Sequence, residues 1–278
     1  MIWLRKTALV LHLLRGMLTC ALLFPWLGVR SREWHIRRWS RRLLRICGIE
    51  LEVVGDPPPQ PRRQGALVVS NHISWLDIYV IHCWRPVRFV AKSEIRDWPV
   101  VGWLCEKTGT LFIERARKRD AHRVLHDITD VMLQGDLVGV FPEGTTTDGS
   151  DVLPFHANLM QAPISGGLPV QPLGLRYVDA ATGKPSLAPA YIGDLSLLQC
   201  LDAILRAPRI KARLVVGPML MPATDSRREL AGSAREVVVH LARGAPEAAA
   251  EAAVRLNRPG GDGSEAPIAE ASAAASVS

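Results

Sequence analysis

The sequence has no Cys-x-x-Cys pair, and none of its five cysteines (Cys20, Cys47, Cys83, Cys105, Cys200) has a histidine at metal-ligand spacing. An odd, scattered set of this kind excludes a disulfide framework and predicts reduced, mostly buried thiols in a cytoplasmic compartment, with no bound metal. No Gly-x-Ser-x-Gly elbow is present, so a serine-hydrolase nucleophile has no support. No Ala-x-Ala site follows the apolar start, which weighs against a cleaved signal peptide. Acid is scarce between residues 30 and 46, where Glu33 stands alone, and large apolar side chains are scarce beyond Gly244.

An apolar stretch is present from Ala8 to Val29, interrupted by His12 and Arg15 and preceded by the basic opening Met1 to Lys6. About 20 apolar residues suffice to span a bilayer, so this reads as a membrane segment, spanning or monotopic. Seven arginines follow: Arg30, Arg32, Arg37, Arg38, Arg41, Arg42 and Arg45. On a helical wheel Ile36, Trp39, Leu43 and Ile46 share one face and most of the arginines take the other, which predicts a helix lying on an anionic membrane surface. Each arginine near the headgroups is worth on the order of 1 kcal/mol. The same charge holds the following domain on the cytoplasmic side of an inner membrane. The net charge of +7 alone would fit nucleic acid equally well, but the adjoining apolar segment argues against a nucleic-acid partner.

With 278 residues the chain can build one large domain with appendages. Residues 1–46 form the membrane anchor and basic helix, 47–243 the domain proper, and 244–278 a disordered tail with a weak Ala-rich helical pattern at 246–256. Within the domain, strand patterns at 51–54, 66–70, 87–91, 110–113, 137–141, 168–175, 190–193 and 210–217 are interleaved with helical patterns from Ser74 and at 120–134, 195–206 and 226–243. The proline-rich stretch between Gly55 and Gly65 reads as a loop. The fold class predicted is α/β, a layered mixed sheet flanked by helices, with an N-terminal membrane-associated helical segment and a ligand site at the strand ends.

Two strand ends carry chemistry. After Ala66 to Val69 comes Ser70-Asn71-His72-Ile73-Ser74-Trp75-Leu76-Asp77. Helical residues five apart point about 140° away from each other, so His72 and Asp77 can meet only if His72 lies just before the helix. Asp77 would then fix the ring tautomer and leave the other nitrogen free as a base. A capping Asn, a surface His and a helix carboxylate make the plainer alternative. The second strand end is Phe141-Pro142-Glu143-Gly144-Thr145-Thr146, a turn where backbone amides can face a ligand.

Together, Asn-His-(four residues)-Asp and Phe-Pro-Glu-Gly-Thr resemble the glycerolipid acyltransferase superfamily. Gly109-Thr110-Leu111-Phe112-Ile113-Glu114-Arg115 and Leu168-Pro169-Val170-Gln171-Pro172 are similar to two further blocks of that family, over roughly residues 40 to 220. The resemblance implies an O-acyltransferase in phospholipid biosynthesis, with His72 and Asp77 as the catalytic pair and no acyl-enzyme. The implied reaction moves a fatty acyl group from acyl-CoA or acyl carrier protein to the sn-2 hydroxyl of lysophosphatidic acid. No cofactor is needed, because a thioester donor is already activated.

The resemblance also implies substrate binding by Asn71, Lys92, Arg115, Glu143, Gly144, Thr145 and Thr146. Asn71 has a helix cap as its alternative role. For Glu143 the options are a bond within the site or to the acceptor, with an amide near Gly144 serving the oxyanion. An acyl groove is expected near Trp75, Trp98 and Trp103. Thr146 departs from the family, whose glycerol-phosphate-binding members usually carry Arg there, a side chain suited to gripping phosphate in two places. The run Thr145-Thr146-Thr147-Asp148-Gly149 resembles relatives that acylate lyso-ornithine lipids, which makes that acceptor or another lysolipid the alternative. A membrane-binding protein without catalysis is the second alternative.

Overall fold

The computed structural model describes residues 2–55, 65–113, 118–223 and 225–257. Its centre is a seven-stranded sheet made of β1 (Ile49–Val54), β2 (Ala66–Ser70), β3 (Arg88–Lys92), β4 (Leu111–Ile113), β5 (Leu137–Val140), β6 (Val170–Asp179) and β7 (Ile210–Val216). The spatial order is β1-β7-β6-β2-β5-β3-β4, and every neighbouring pair is parallel except β6–β7. Strand β2, Ala-Leu-Val-Val-Ser, is buried at every position. Its continuous apolar run is what a central strand covered on both faces requires.

Side chains alternate across the sheet and divide the core in two. One face buries Val68, Leu173, Leu175, Tyr177, Ala212 and Leu214 against α2 (Val29–Cys47), α3 (Asp77–Trp84) and α7 (Leu197–Arg206). The other buries Leu67, Val69, Val138, Val170 and Val215 against α5 (Lys118–Leu133), α6 (Gln161–Gly166) and α8 (Arg227–Arg243). The short α4 (Val101–Lys107) precedes β4.

Three expectations change. No strand forms at 190–193; this segment instead lies over the loop after β2, where Tyr191 N–H donates to the Ile73 carbonyl at 2.9 Å. The disordered tail expected at 244–278 holds a helix, α9 (Pro246–Leu256), whose Ala249, Ala252 and Ala253 are buried in the core. Residues 258–278 lie outside the described residues, as does most of the loop expected at 55–65.

The third change concerns the basic helix. Its apolar side, Leu43, Leu44 and Cys47 with Trp39, is covered by the protein core, chiefly α3. The exposed apolar surface belongs instead to α1 (Ile2–Leu18) and the corner after it, where Trp3, Leu4, Leu11, Leu14, Leu18, Leu22 and Trp26 face outward. The continuous helical stretch Ile2–Trp26 is long and apolar enough to cross a membrane by length and composition.

Candidate active site

Parallel pairing of β2 with β5 brings the carboxyl ends of both strands side by side, with Val69 opposite Val140. His72 follows one end and Glu143 the other, so two motifs 71 residues apart share one site. Helix α3 begins at Asp77, and His72 therefore lies before it, as the five-residue spacing requires.

Asp77 is fully buried. Its Oδ2 accepts from His72 Nδ1 at 2.8 Å and from the backbone N–H of Ile73 and Ser74 at 2.7 and 2.9 Å. Its Oδ1 accepts from the Tyr177 hydroxyl at 2.7 Å. A carboxylate with these four donors accepts and cannot donate, so the proton between it and the ring sits on Nδ1. Nε2 of His72 then carries the lone pair, and it has no hydrogen-bond partner among the described residues. The ring is stacked on Phe141 at 3.9 Å and 8°, and Phe141 is stacked on Phe89. The side chain keeps 19% exposure, which leaves Nε2 open to a substrate.

Glu143 clamps the same loop from β5. Its Oε1 accepts from His72 N–H and its Oε2 from Leu153 N–H, both at 2.7 Å. Burial pushes its carboxyl above the usual carboxylate range, against the pull of those two amides and of His72. Both oxygens are engaged within the site. Gly144 sits at φ +73° in the turn that follows, a conformation glycine adopts at little cost, and its N–H donates back to the Phe141 carbonyl. That amide is therefore committed to the turn. The N–H groups of Thr145 and Thr146 have no partner among the described residues.

Asn71 corrects the expectation: it neither caps a helix nor faces substrate. It is 1% exposed, and its side-chain amide donates to the Leu175 carbonyl and accepts from Leu175 N–H, each at 2.8 Å. The amide carries the same donor and acceptor as a peptide group, so it extends the β2–β6 ladder by one rung. Thr146 donates its hydroxyl to the Tyr191 carbonyl. Thr147 N–H donates to the His72 carbonyl at 2.8 Å, so the 144–149 loop straps down the His72 loop. Lys92 is exposed at the carboxyl end of β3, two strands from β2 on the same side of the sheet as His72. Arg115 lies outside the described residues.

Trp75 packs against the core and Tyr79, while Trp103 lies in α4 and Trp98, exposed, three residues before that helix begins. An open groove of about 1280 Å³ lies at the amino ends of β3 and β5, opposite His72, lined by Arg37, Arg41, Arg85, Arg88, Lys107 and Asp136 among others.

Tyr177 is the site residue that the sequence did not reveal. It is buried, and its hydroxyl is pushed far above the usual range by burial and by Asp77 beside it. Other nucleophiles are withdrawn: Ser74 is fully buried, and burial pushes the Cys47 and Cys83 thiols up to about 12. No group of three or more His, Cys, Asp or Glu able to hold a metal ion occurs among the described residues.

A family described as Acyltransferase matches residues 52–176. The chain is 36% identical to a lyso-ornithine lipid O-acyltransferase of Pseudomonas aeruginosa over 208 residues, which cover 74% of this chain and 78% of the relative. It is 37% identical to a 1-acyl-sn-glycerol-3-phosphate acyltransferase of Neisseria meningitidis over 184 residues, 66% of this chain and 71% of the relative. The crystal structure of the 1-acyl-sn-glycerophosphate (LPA) acyltransferase PlsC of Thermotoga maritima shares the fold. That match has a TM-score of 0.61 at 22% identity, over 89% of this chain and 97% of that one. With its His72–Asp77 pair and the Glu143 turn at neighbouring strand ends, the chain belongs to the glycerolipid acyltransferase family and is an O-acyltransferase.

Proposed function

We propose that the protein moves a fatty acyl group from acyl-CoA or acyl carrier protein to the sn-2 hydroxyl of lysophosphatidic acid, giving phosphatidic acid in phospholipid biosynthesis. The observation that carries the reading is His72 Nε2, unpartnered and open while Nδ1 is held by a buried carboxylate. In the reaction Nε2 takes the acceptor's hydroxyl proton as that oxygen attacks the thioester carbon. The tetrahedral intermediate carries its negative charge on the former carbonyl oxygen, toward the free N–H groups of Thr145 and Thr146. Collapse expels the thiolate, which takes the proton back from the imidazolium. No acyl-enzyme forms and no cofactor takes part.

Glu143 keeps the His72 backbone in place, Asp77 and Phe141 fix the ring, and Lys92 and Arg115 are the cations for an anionic headgroup. A second reading rests on Thr146. Its hydroxyl is tied to Tyr191, and it stands where a phosphate-gripping arginine would be expected, which favours a lyso-ornithine lipid as acceptor. The protein sits at the inner membrane facing the cytoplasm, with the exposed side of α1 in the lipid and the α2 arginines toward anionic headgroups.

The test is acyl transfer by membranes containing the protein, offered lysophosphatidic acid and lyso-ornithine lipid in parallel. Transfer to lysophosphatidic acid, reduced about a hundredfold or more by His72→Ala, is the expected outcome. Transfer to the ornithine lipid alone overturns the acceptor, and full activity of His72→Ala overturns the assigned base.

A further inference from the structure

The segment from Ser186 to Leu198 carries a second apolar surface that the acyl-transfer chemistry does not use. Leu187 and Leu198 are 65% and 76% exposed, and Ile192, Leu195 and Leu197 are exposed between them. The only charged side chain from 186 to 198 is Asp194. The segment is anchored from within: Tyr191 packs on the core, its N–H holds the Ile73 carbonyl, and its own carbonyl accepts from Thr146. The apolar tips therefore stand on a backbone bonded directly to the His72 loop and to the Glu143 turn. Fixed backbone with outward leucines cannot be explained as core.

This surface continues that of α1. Asp202 of α7 pairs with Lys6 of α1 at 2.8 Å, and Arg5 donates to the Leu205 carbonyl. Leu198 is four residues before Asp202, on the same side of α7 and one turn nearer the active site. Helix α1 thus lies against the side of α7 that presents Leu198. The outward faces of α1 and the 186–198 segment adjoin on one side of the molecule, away from α8 and α9 on the other face of the sheet.

We propose that the 186–198 segment is a second lipid-bilayer contact, which enters the interfacial layer beside α1 and sets the mouth of the active site at the membrane surface. This rests on the membrane association of α1. The occupant is lipid, because the segment is apolar, nearly uncharged and continuous with an apolar helix, and because a lysolipid acceptor resides in that layer.

The test places a spin label at Leu198→Cys, at Leu11→Cys on the outer face of α1, and at Ala250→Cys on the exposed side of α9, each in a Cys105→Ser background. The full chain is reconstituted in vesicles of phosphatidylethanolamine and phosphatidylglycerol. Collision with oxygen and with a water-soluble nickel chelate is then measured. The label at 198 is expected to match the label at 11, open to oxygen and shielded from nickel, and to differ from 250. Shielding at 11 with nickel access at 198 overturns the proposal and leaves the reading of α1 intact, whereas nickel access at both overturns both. Dipolar broadening between labels at 198 in detergent and in vesicles overturns it in favour of contact between two copies of the chain. Leu198→Asp gives an independent readout: vesicle binding falls about tenfold, while transfer to a short-chain, monodisperse lysolipid is unchanged. Vesicle binding equal to that of the parent overturns the proposal.

Discussion

Asp77 takes four donors, three of them local and one from a strand 100 residues away. Local donors would hold the carboxylate to its own loop, but the Tyr177 hydroxyl also fixes it to the sheet. Removing that hydroxyl leaves a buried carboxylate oxygen without a partner, a cost of about 1–3 kcal/mol. Part of it is relieved by tilting Asp77, and with it the His72 ring. Tyr177→Phe is therefore expected to lower kcat by about tenfold with KM for both substrates unchanged, since a few tenths of an ångström at the base affects the transition state more than binding. The measurement is steady-state kinetics on protein whose melting curve remains cooperative. A loss in KM alone, or none at all, would remove Tyr177 from the positioning of the site. His72 and Asp77 were legible because both lie in one short motif, whereas Tyr177 and the Asn71–Leu175 rung depend on which strand lies beside β2, and no local pattern encodes that.

At the scale of elements, α1 and α2 are joined by a clasp. His12 Nε2 donates to the Trp39 carbonyl at 2.9 Å, Trp39 Nε1 donates to the His12 carbonyl at 3.0 Å, and the two rings are stacked at 4.6 Å. Gly16, one turn on, is where the helices touch: a Cβ there would lie 2.5 Å from Trp39 Nε1. Gly16→Val is thus expected to force the helices apart and cost about 1–3 kcal/mol, lowering the melting midpoint in detergent by several degrees. It should also open the 11–39 region to hydrogen exchange; protection equal to the parent's would show the clasp to be unimportant. This contact explains what was legible in the N-terminal part. The helical wheel placed Trp39 and Leu43 on the covered side of α2, but Ile36 and Ile46 are not part of it and Leu44 and Cys47 are; nor does amphipathicity say whether that side meets lipid or protein, and here it meets α3. The Ala-rich helical pattern at 246–256 matches α9, but its place in the core was not legible, because alanines contribute little to an apolar pattern yet pack closely against α8.

For the whole molecule, the division of buried charge sets how folding depends on pH. His82 in α3 is fully enclosed, its Nδ1 accepts from Val87 N–H, and burial lowers its pKa from 6.5 to about 4. The unfolded chain then takes up a proton near pH 6.5 that the folded chain refuses until about pH 4. Stability from this group is present in full above pH 6.5 and is lost as pH falls, by about 1.4 kcal/mol per pH unit and about 3 kcal/mol in all. Glu143 acts in the opposite direction. Its raised pKa means the folded state binds a proton more readily than the unfolded one, so its contribution grows as pH falls toward the ordinary glutamate range. The expectation from His82 is acid destabilisation between pH 6.5 and 4. The comparison that isolates it is His82→Asn, whose Oδ1 can still accept from Val87 N–H but carries no titrating group. Urea midpoints in detergent at pH 7, 6, 5 and 4.5 should fall steeply for the parent and much less for the variant, with the two curves nearest at pH 7 apart from a constant packing offset. Parallel curves would mean that His82 takes up its proton equally in both states, and the acid sensitivity of the fold would then have to arise from its carboxylates.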